Sequence, residues 1–270
     1  MDLSIIIPTY KPQAWLYECL NSINNQTLPK GSYEVLIVLN GPKDPYYTEL
    51  EQNLVNFSQN NDIKLIYVSA PGVSNARNIG IERAVGDFIA FVDDDDLLSP
   101  SYFEELLHIS TSSQVGLSNM KCFYDGKNDF YFDDYISRNY KRMRSLSRIS
   151  FLSARRHMSG PVCKIIHRDI ALSQRFNVNF KNGEDGLYMF AVSNHIKSFA
   201  ITSKDAIYYR RVREDSASNK NRFKTNLQIS VPIFVAYVKI WIKDPYGYNF
   251  MFFITRLLSI FKGIVYSIFK

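Results

Sequence analysis

One stretch of the sequence decides the fold: Gly86-Asp87-Phe88-Ile89-Ala90-Phe91-Val92-Asp93-Asp94-Asp95-Asp96-Leu97-Leu98-Ser99-Pro100. Its apolar run, residues 88–92, suits a strand that is buried on both faces, as in a parallel sheet covered by helices on either side. The four aspartates that follow cannot continue into a core, because burying unpaired charge is too costly. The chain therefore leaves the sheet at Asp93, at the carboxyl end of the strand, which is the edge where open α/β sheets bind ligands.

Four adjacent carboxylates repel one another and need compensation. A divalent cation can supply it, since Mg²⁺ and Mn²⁺ prefer oxygen ligands and commonly bridge a carboxylate to substrate phosphates. The alternative is a solvated acidic turn that caps the next helix, because runs of charge usually lie on solvated faces. This stretch alone is compatible with both interpretations.

Strand-like and helix-like segments alternate through the first 109 residues. We predict strands at 3–7, 34–39, 63–68 and 88–92, and helices at 15–23, 47–57, 76–84 and 102–109. This order predicts a doubly wound α/β sheet with parallel strands and right-handed crossovers. The loops at Thr9, Asn40 and Asp93 are then expected to converge on one edge of the sheet.

Length and composition limit the number of domains, the kind of partner and the cellular compartment. At 270 residues the chain forms one large domain or two small ones. The net charge is +6, and residues 201–270 carry 12 Lys and Arg against 4 Asp and Glu, which predicts an anionic partner for that segment. Three cysteines without metal-ligand spacing, and a start without a basic signal-peptide region, predict a reduced cytoplasmic compartment. The four histidines share no triad or ligand spacing, which predicts structural roles.

Four motifs occur in a fixed order. They are Ser-Ile-Ile-Ile-Pro-Thr-Tyr at 4–10, Ser-Ile-Asn-Asn-Gln-Thr at 22–27, Gly-Val-Ser-Asn-Ala-Arg-Asn-Ile-Gly at 72–80, and the acidic loop at 91–100. Together they resemble the family 2 glycosyltransferases of the GT-A fold. The resemblance covers about residues 3–218. It implies a Rossmann-like, mostly parallel, twisted sheet flanked by helices, followed by a C-terminal helical tail.

The resemblance also implies a donor site. Its residues would be Pro8, Thr9, Tyr10, Asn40, Arg77, Asp93 and Asp94. Thr9 and Asn40 would flank the nucleobase, and Arg77 would lie beside the base and the diphosphate. Asp93 and Asp95 correspond to the Asp-x-Asp pair that holds Mn²⁺ or Mg²⁺, with Asp95 as the direct ligand.

One position departs from the family pattern. Relatives usually carry Asp-Gly-Ser-x-Asp in the second loop, and its first aspartate accepts a hydrogen bond from the uracil imide. Here the sequence is Asn40-Gly41-Pro42-Lys43-Asp44. The Asn40 carbonyl can still accept that hydrogen bond. The alternative for Asn40 is a turn residue that precedes glycine.

The second half contains the candidate base. Asn-Gly-Glu-Asp-Gly at 182–186 matches the Glu-Asp pair of the inverting enzymes. This resemblance implies that Asp185 takes the proton of the acceptor hydroxyl as that oxygen attacks the anomeric carbon, and that Glu184 supports orientation or acceptor binding. The alternative is an acidic pair that complements the dipole at a helix start.

Two basic features accompany this base. The region 137–175 has ten Lys and Arg against one Asp, and we predict that it binds an anionic glycan or a lipid-linked diphosphate; an exposed basic face without a ligand is the alternative. The segment 208–218 resembles the motif that closes the family's catalytic domain. Its Arg211 and Arg213 are predicted to bind the donor diphosphate, since arginine can bind phosphate bidentately. Relatives have His where this chain has Arg213, and an arginine is not expected to bind a metal.

The tail, residues 249–270, has no uninterrupted apolar span of the roughly 20 residues that a transmembrane helix needs. Its polar stripe, including Arg256, Ser259 and Lys262, lies opposite a wide Leu, Ile and Phe face. We predict an in-plane helix at a membrane surface, with a companion helix at 229–242 that is interrupted near Pro232. The alternative is a helix that packs on the catalytic domain or on a second subunit of a homo-oligomer.

The resulting hypothesis is a catalytic domain at 1–218, with a nucleotide-sugar half at 1–100 and an acceptor half at 101–218, and amphipathic helices at 219–270. The resemblance implies an inverting, metal-dependent hexosyl transfer from a nucleoside diphosphate sugar, with UDP favoured, to a glycan or polyprenyl-diphosphate-linked glycan. The setting would be bacterial cell-surface polysaccharide synthesis at the inner face of the plasma membrane, without a nucleic-acid partner.

Two rival functions remain open. A nucleotidyltransferase usually needs a glycine-rich phosphate loop after the first strand, and Pro8-Thr9-Tyr10-Lys11-Pro12 has no glycine. The other rival is a non-catalytic scaffold that binds carbohydrate or membrane. The four carboxylates at Asp93, Asp95, Glu184 and Asp185 argue against a decayed enzyme.

Overall fold

A computed structural model describes residues 1–55, 57, 62–213 and 227–268, with side chains described for all of these except 128–130, 227–229 and 263–268. The first half alternates strands and helices: β1 Leu3–Thr9, α1 Ala14–Asn24, β2 Tyr33–Asn40, α2 Tyr46–Leu54, β3 Asp62–Val68, α3 Val73–Arg83, β4 Phe88–Phe91, β5 Leu97–Leu98 and α4 Tyr102–Ile109. Apart from the short strand β5, which was not predicted, these elements match the predicted order. The predicted second helix also included residue 56, which lies outside the described residues.

The second half is less regular. Its elements are β6 Gln114–Leu117, β7 Asn119–Tyr124, β8 Lys127–Phe132, α5 Tyr135–Met143, α6 Phe151–Ala154, β9 Lys164–His167, α7 Arg168–Leu172, α8 Glu184–Ala191, β10 Ser198–Ile201, β11 Ile207–Val212, α9 Leu227–Lys243 and α10 Phe250–Ile268. Helix α9 runs through Pro232 without the interruption that we predicted. A proline near the start of a helix removes one internal hydrogen bond and need not end it.

Within the described chain, seven strands form one sheet in the order β10-β6-β9-β4-β1-β2-β3. β3, β2, β1 and β4 are parallel neighbours, and β10 is parallel to β6. β9 lies antiparallel between β4 and β6. The predicted mixed α/β fold with a mostly parallel central sheet is confirmed, and the antiparallel β9 is the part that alternation of elements did not predict. A second sheet, β5-β11-β7-β8, lies beside it.

The central strands are buried on both faces, as their unbroken apolar runs predict. All residues of β1 and β2 are buried. Alternate side chains enter two different cores: Ile6, Leu36, Val38, Ile89 and Phe91 pack toward α3, α8 and the C-terminal helices, whereas Ile5, Ile7, Val35, Ile37 and Ala90 pack toward α1, α2 and α4. This period-two division is what a strand covered by helices on both sides requires.

The C-terminal helices share the first of these cores. Tyr237 of α9 and Phe252 of α10 are buried, and the ring centroids of both lie within 6 Å of the Phe190 ring of α8, at 5.2 and 5.8 Å. Among the described residues, no helix has the length and apolar character to cross a bilayer. We refer to α9 and α10 together as the C-terminal hairpin.

One residue of the predicted polar stripe, Arg256, turns toward the protein, whereas Ser259 and Lys262 are exposed as predicted. Arg256 points inward and donates from Nη2 to the carbonyl oxygens of Arg155 and Met158, at 2.9 and 2.6 Å. Leu258 and Phe261, by contrast, are exposed. The sequence pattern distinguishes the two faces of the helix but does not show which face packs against the protein. An arginine can lie on the inner face where carbonyl groups accept its hydrogen bonds, so polarity alone could not identify that face. The last residues of the predicted stripe, 269 and 270, lie outside the described residues.

Candidate active site

The carboxyl ends of β1, β2 and β4 meet, as predicted. The Thr9 hydroxyl donates to Asp94 Oδ2, and the Asn40 amide Nδ2 donates to the Thr9 carbonyl oxygen at 2.7 Å. Thr9 is itself buried, so it supports the acidic loop from below. These contacts join three loops that are far apart in sequence into one floor.

A cleft of about 1090 Å³ opens above this floor. The predicted site residues that line it are Pro8, Tyr10, Asn40, Arg77, Asp93, Asp94, Asp95, Glu184, Asp185, Arg211 and Arg213. Thr9 is the predicted residue that does not line it. Lining residues that the sequence analysis did not assign to the site include Asp96, Tyr135, His157, Phe180, Lys181 and Arg210.

Arg77 connects the two acidic regions of the cleft. Its Nη1 donates to Asp185 Oδ1 at 2.6 Å, and its Nη2 donates to Asp93 Oδ1 at 3.1 Å. The Arg77 side chain is only 4% exposed, and the charge of Asp185 keeps its pKa raised against the effect of burial. The candidate metal loop and the candidate base are therefore held in one cleft by a single guanidinium.

The four aspartates of the acidic loop occupy different environments. Asp96 is buried and accepts the Arg211 main-chain N–H at 2.8 Å, so it anchors the loop to β11. Burial raises the pKa of Asp94 to about 7, although the hydrogen bond from Thr9 opposes this. Asp93 is 42% exposed, and Asp95 lies at the cleft with its Oδ2 2.6 Å from Arg213 Nη2. All four carboxylates line the cleft, but Asp94 and Asp96 are also held by hydrogen bonds within the protein, and the predicted donor contact of Asp94 stays a prediction.

Burial and the neighbouring Asp93 raise the pKa of Asp95, which shows how closely the negative charges are packed. Within the part of the chain that the structure describes, no group of three or more His, Cys, Asp or Glu is arranged to hold a metal ion. Asp93 and Asp95 would therefore give at most a two-carboxylate site. Such a site fits Mg²⁺ or Mn²⁺, which commonly use one or two carboxylates and take their remaining ligands from water and substrate phosphates.

The two predicted diphosphate arginines lie in contrasting places. Arg211 is buried over the Phe123 ring, and its Nη2 and Nη1 pair with Glu18 and Asp125 at 2.6 and 2.7 Å. Its Nε donates to the Asp95 carbonyl oxygen at 2.8 Å. These contacts engage the whole guanidinium with protein groups, and its binding of phosphate stays a prediction.

Arg213 is more accessible than Arg211. It stacks over Trp15, with Cζ 4.3 Å from the ring centroid, while it pairs with Asp95. The remainder of the closing motif, 214–218, lies outside the described residues. A cation at Asp95 would compete with Arg213 for the same carboxylate, and the guanidinium would then be available to donor phosphates.

Asn40 uses both ends of its amide. Nδ2 bonds to Thr9, as described above, and Oδ1 accepts the Gly72 main-chain N–H at 2.9 Å. An amide oxygen has two acceptor positions, and Gly72 uses one of them, while the residue is only 3% exposed. Its predicted contact with a uracil imide therefore stays a prediction that the geometry permits.

The acidic pair begins helix α8. Gly183 precedes it with φ of +81°, a left-handed conformation that glycine adopts without strain. Burial raises the pKa of Asp185 although Arg77 opposes the shift, and burial with the adjacent Asp185 raises the pKa of Glu184. Carboxylates with raised pKa values suit general-base catalysis, because the ideal base has a pKa close to the working pH.

The basic region 137–175 is not uniformly exposed. Lys164 on β9 is buried and donates to the Gly160 and Val162 carbonyl oxygens, both at 2.6 Å. Burial lowers its pKa to about 8. His157 is also buried, and burial lowers its pKa to about 3, so this ring is neutral and structural. The predicted binding of an anionic acceptor by this region remains untested by these contacts.

Comparison with known proteins decides the family. A model described as Glycosyl transferase family 2 matches residues 4–175, which is more than half of the chain. The chain belongs to glycosyl transferase family 2. The matched segment includes the acidic loop and Arg77 and ends before the Glu184–Asp185 pair.

Individual relatives agree with this family 2 membership. The minor teichoic acid biosynthesis protein GgaB of Bacillus subtilis is 28% identical over 232 residues, which cover 83% of this chain and 24% of GgaB. The GalNAc(5)-diNAcBac-PP-undecaprenol beta-1,3-glucosyltransferase of Campylobacter jejuni is 24% identical over 232 residues, which cover 83% of this chain and 71% of that protein. The chain spans less than a third of the length of several curated relatives that it matches.

Solved structures show the same fold. S. aureus TarS 1–349 in complex with UDP-GlcNAc superimposes with a TM-score of 0.69 at 22% identity, and the match covers 88% of this chain and 67% of that chain. The predicted GT-A fold of this family 2 protein is thereby confirmed.

Proposed function

We propose that this family 2 protein transfers a sugar from a UDP-sugar to a hydroxyl of a glycan or lipid-linked glycan, with inversion at the anomeric carbon. The observation that carries the proposal is the Arg77 bridge, because it holds Asp93 and Asp185 at one cleft. A donor diphosphate beside Asp93 and Asp95 would then lie within reach of a base that acts on the acceptor.

In this mechanism, Asp185 accepts the proton of the acceptor hydroxyl while that oxygen forms the new bond to the anomeric carbon. The bond from the anomeric carbon to the diphosphate oxygen breaks on the opposite face, and UDP leaves with the electron pair. Arg77 orients the Asp185 carboxylate through Oδ1, which leaves the other oxygen for the proton. Arg213, which pairs with Asp95 at the cleft, would add positive charge near the leaving diphosphate.

Asp93 and Asp95 are the residues that would hold Mg²⁺ or Mn²⁺. When bound, the cation would supply positive charge to the diphosphate as negative charge accumulates on it. The support is the crowding of carboxylates in the loop and the open position of Asp93.

UDP is the favoured nucleotide for two reasons. TarS has been solved with UDP-GlcNAc, and Asn40, which lines the cleft, carries an amide oxygen that could accept from the uracil imide. The names of GgaB and of the C. jejuni enzyme support an acceptor in a cell-surface glycan, with a teichoic acid or an undecaprenyl-diphosphate glycan as the two named classes.

A donor screen tests this function. We expect a UDP-sugar with Mn²⁺ to raise the melting temperature by about 5–10 °C at a hundredfold excess over Kd, and to release UDP slowly by transfer to water. GDP- and dTDP-sugars should give smaller shifts, and EDTA should remove most of the UDP effect. A chain that neither binds nor cleaves any of these donors would contradict the proposal.

We also propose that the C-terminal hairpin contacts an anionic membrane surface. Its helix α9 exposes Val231, Phe234, Val235 and Ile242, which recur at helical spacing on one face. Lys239 and Lys243 are exposed on the same helix. An apolar face flanked by lysines complements lipid with negative headgroups.

The membrane contact has its own test. Binding to vesicles of phosphatidylglycerol should exceed binding to phosphatidylcholine and should fall as salt is raised. Phe234→Glu should weaken binding about tenfold or more, because a buried aromatic ring contributes at least that much. Leu172→Glu changes an equally exposed leucine on α7 and should have no effect. Equal binding of both variants would refute the assigned surface.

A further inference from the structure

A second cavity, of about 420 Å³, lies between α8 and the C-terminal hairpin. It shares Ser159, Lys181, Glu184 and Asp185 with the main cleft, so the two spaces meet at the candidate base. The hairpin supplies its far wall through Ser230, Ile233, Tyr237, Arg256, Ser259 and Ile260. These six residues lie beyond residue 175, where the family match ends.

Two glycines let the hairpin approach the acidic pair. A Cβ at Gly186 would lie 3.1 Å from the Tyr237 hydroxyl oxygen and 3.9 Å from Arg256 Nη1. A Cβ at Gly183 would lie 2.8 Å from Ile233 Cδ1. The hairpin is therefore built against both ends of the Glu184–Asp185 pair.

The charged side chains of Glu184 and Arg256 both line the cavity. Glu184 is 9% exposed, and within the described residues no carboxylate forms an ion pair with Arg256. One atom of each side chain, Glu184 Oε2 and Arg256 Nε, lies beneath the cavity surface without a hydrogen-bond partner. The atoms of these side chains that do line the cavity suit a polar ligand.

We propose that this second cavity binds the hydroxyl-bearing saccharide or polyol unit of the acceptor, and that Glu184, Tyr237 and Arg256 hydrogen-bond its hydroxyls. The inference rests on the proposed glycosyl transfer and names the acceptor subsite of that reaction. A hydroxyl group suits the site because it can donate to the Glu184 carboxylate and accept from the Arg256 and Tyr237 N–H and O–H groups.

Size and position support this assignment. At about 30 Å³ for each water of the liquid, the cavity offers the space of roughly a dozen waters, which suits one saccharide unit. Arg77 and Asp93 lie on the other side of Asp185, where the donor diphosphate would bind. Asp185 stands where the two spaces join, so a hydroxyl entering from the second cavity meets the base before it meets the donor.

The test introduces a tryptophan at a residue that lines the cavity, and a tryptophan at the adjacent residue serves as the control. Ser259 is exposed but lines the cavity, so Ser259→Trp is designed to fill the cavity from its rim. Leu258→Trp adds the same indole at the adjacent, 60% exposed position of α10, which does not line the cavity. The probes are the p-nitrophenyl β-glycosides of glucose, galactose, GlcNAc and GalNAc, added to enzyme with UDP-GlcNAc, UDP-glucose or UDP-galactose. The measurements are the glycoside KM for stimulated UDP release and the Kd for UDP.

We expect Ser259→Trp to raise the glycoside KM at least tenfold with a Kd for UDP within twofold of wild type, and Leu258→Trp to behave as wild type. Tyr237→Phe removes a single hydroxyl and should raise the same KM about threefold to tenfold, which keeps the test decisive if Ser259→Trp does not fold. Unchanged KM values in Ser259→Trp and Tyr237→Phe, or no saturable stimulation of wild type by any glycoside, would overturn the subsite. Failure of the transferase function itself would appear differently, as no UDP release and no UDP binding.

Discussion

Asp185→Asn is expected to lower kcat for sugar transfer by about 10²- to 10⁴-fold, which is the usual contribution of a positioned general base. Asparagine keeps the shape of the side chain, and its carbonyl can still accept the 2.6 Å hydrogen bond from Arg77. It cannot take up the acceptor proton. The measurement is steady-state transfer together with UDP affinity, and the affinity should stay near the wild-type value.

The pH profile separates loss of the base from loss of structure. Burial raises the Asp185 pKa above its ordinary value, and the carboxylate is active only when deprotonated. Wild-type kcat should therefore fall as the pH falls through that raised pKa. In Asp185→Asn this contribution to the acid limb should be absent, so that only the titration of the acidic loop, where the pKa values of Asp94 and Asp95 are also raised, remains. Glu184→Gln should keep the limb, because Glu184 is assigned to the acceptor. An Asp185→Asn enzyme with an unchanged rate would refute the assignment.

Asp95→Asn is expected to have the second large effect, a loss of about 10²- to 10³-fold in kcat, comparable to removing one electrostatic stabiliser of a transition state. The variant keeps the size of the side chain and removes one of the two carboxylates open to a cation. Binding of Mn²⁺, followed by electron paramagnetic resonance in the presence of UDP, gives a readout that does not depend on turnover. We expect the affinity of Asp95→Asn for Mn²⁺ to be at least tenfold weaker than that of the wild type.

Asp169→Asn is the matched control for this experiment. Asp169 is an 81% exposed carboxylate at the start of α7, outside the cleft, so its variant should bind Mn²⁺ and turn over as wild type does. Full activity of Asp95→Asn in the presence of EDTA would contradict the metal proposal.

The central sheet was predictable because its information is local. An unbroken apolar run such as that of β4, followed at once by charge, leaves few alternatives to a buried parallel strand. β9 was not predictable in the same way. It is only four residues long, and its place between β4 and β6 is set by pairing with strands about 50 to 80 residues away, which no local pattern encodes.

In the candidate site, too, local features could be predicted from the sequence and long-range contacts could not. The carboxylates of the acidic loop and of the Glu184–Asp185 pair could be proposed as site residues because they lie within short sequence motifs. The Arg77 bridge, however, joins residues 16 and 108 positions apart, and the Glu18 and Asp125 partners of Arg211 lie 193 and 86 positions away from it. Ion pairing at such separations depends on the finished fold. The inward Arg256 was missed because helical periodicity gives two faces and does not say which one is buried.

The shared guanidinium of Arg77 makes Asp93 and Asp185 energetically dependent on each other. Residues in one hydrogen-bonded network show coupling energies of about 0.5–3 kcal/mol, so the effects of changing these two carboxylates should not add. If either carboxylate is replaced by a neutral side chain, the Arg77 guanidinium pairs with the remaining carboxylate alone. We therefore expect a substitution at one end of the bridge to alter which substitutions are tolerated at the other, so that the two positions covary among relatives.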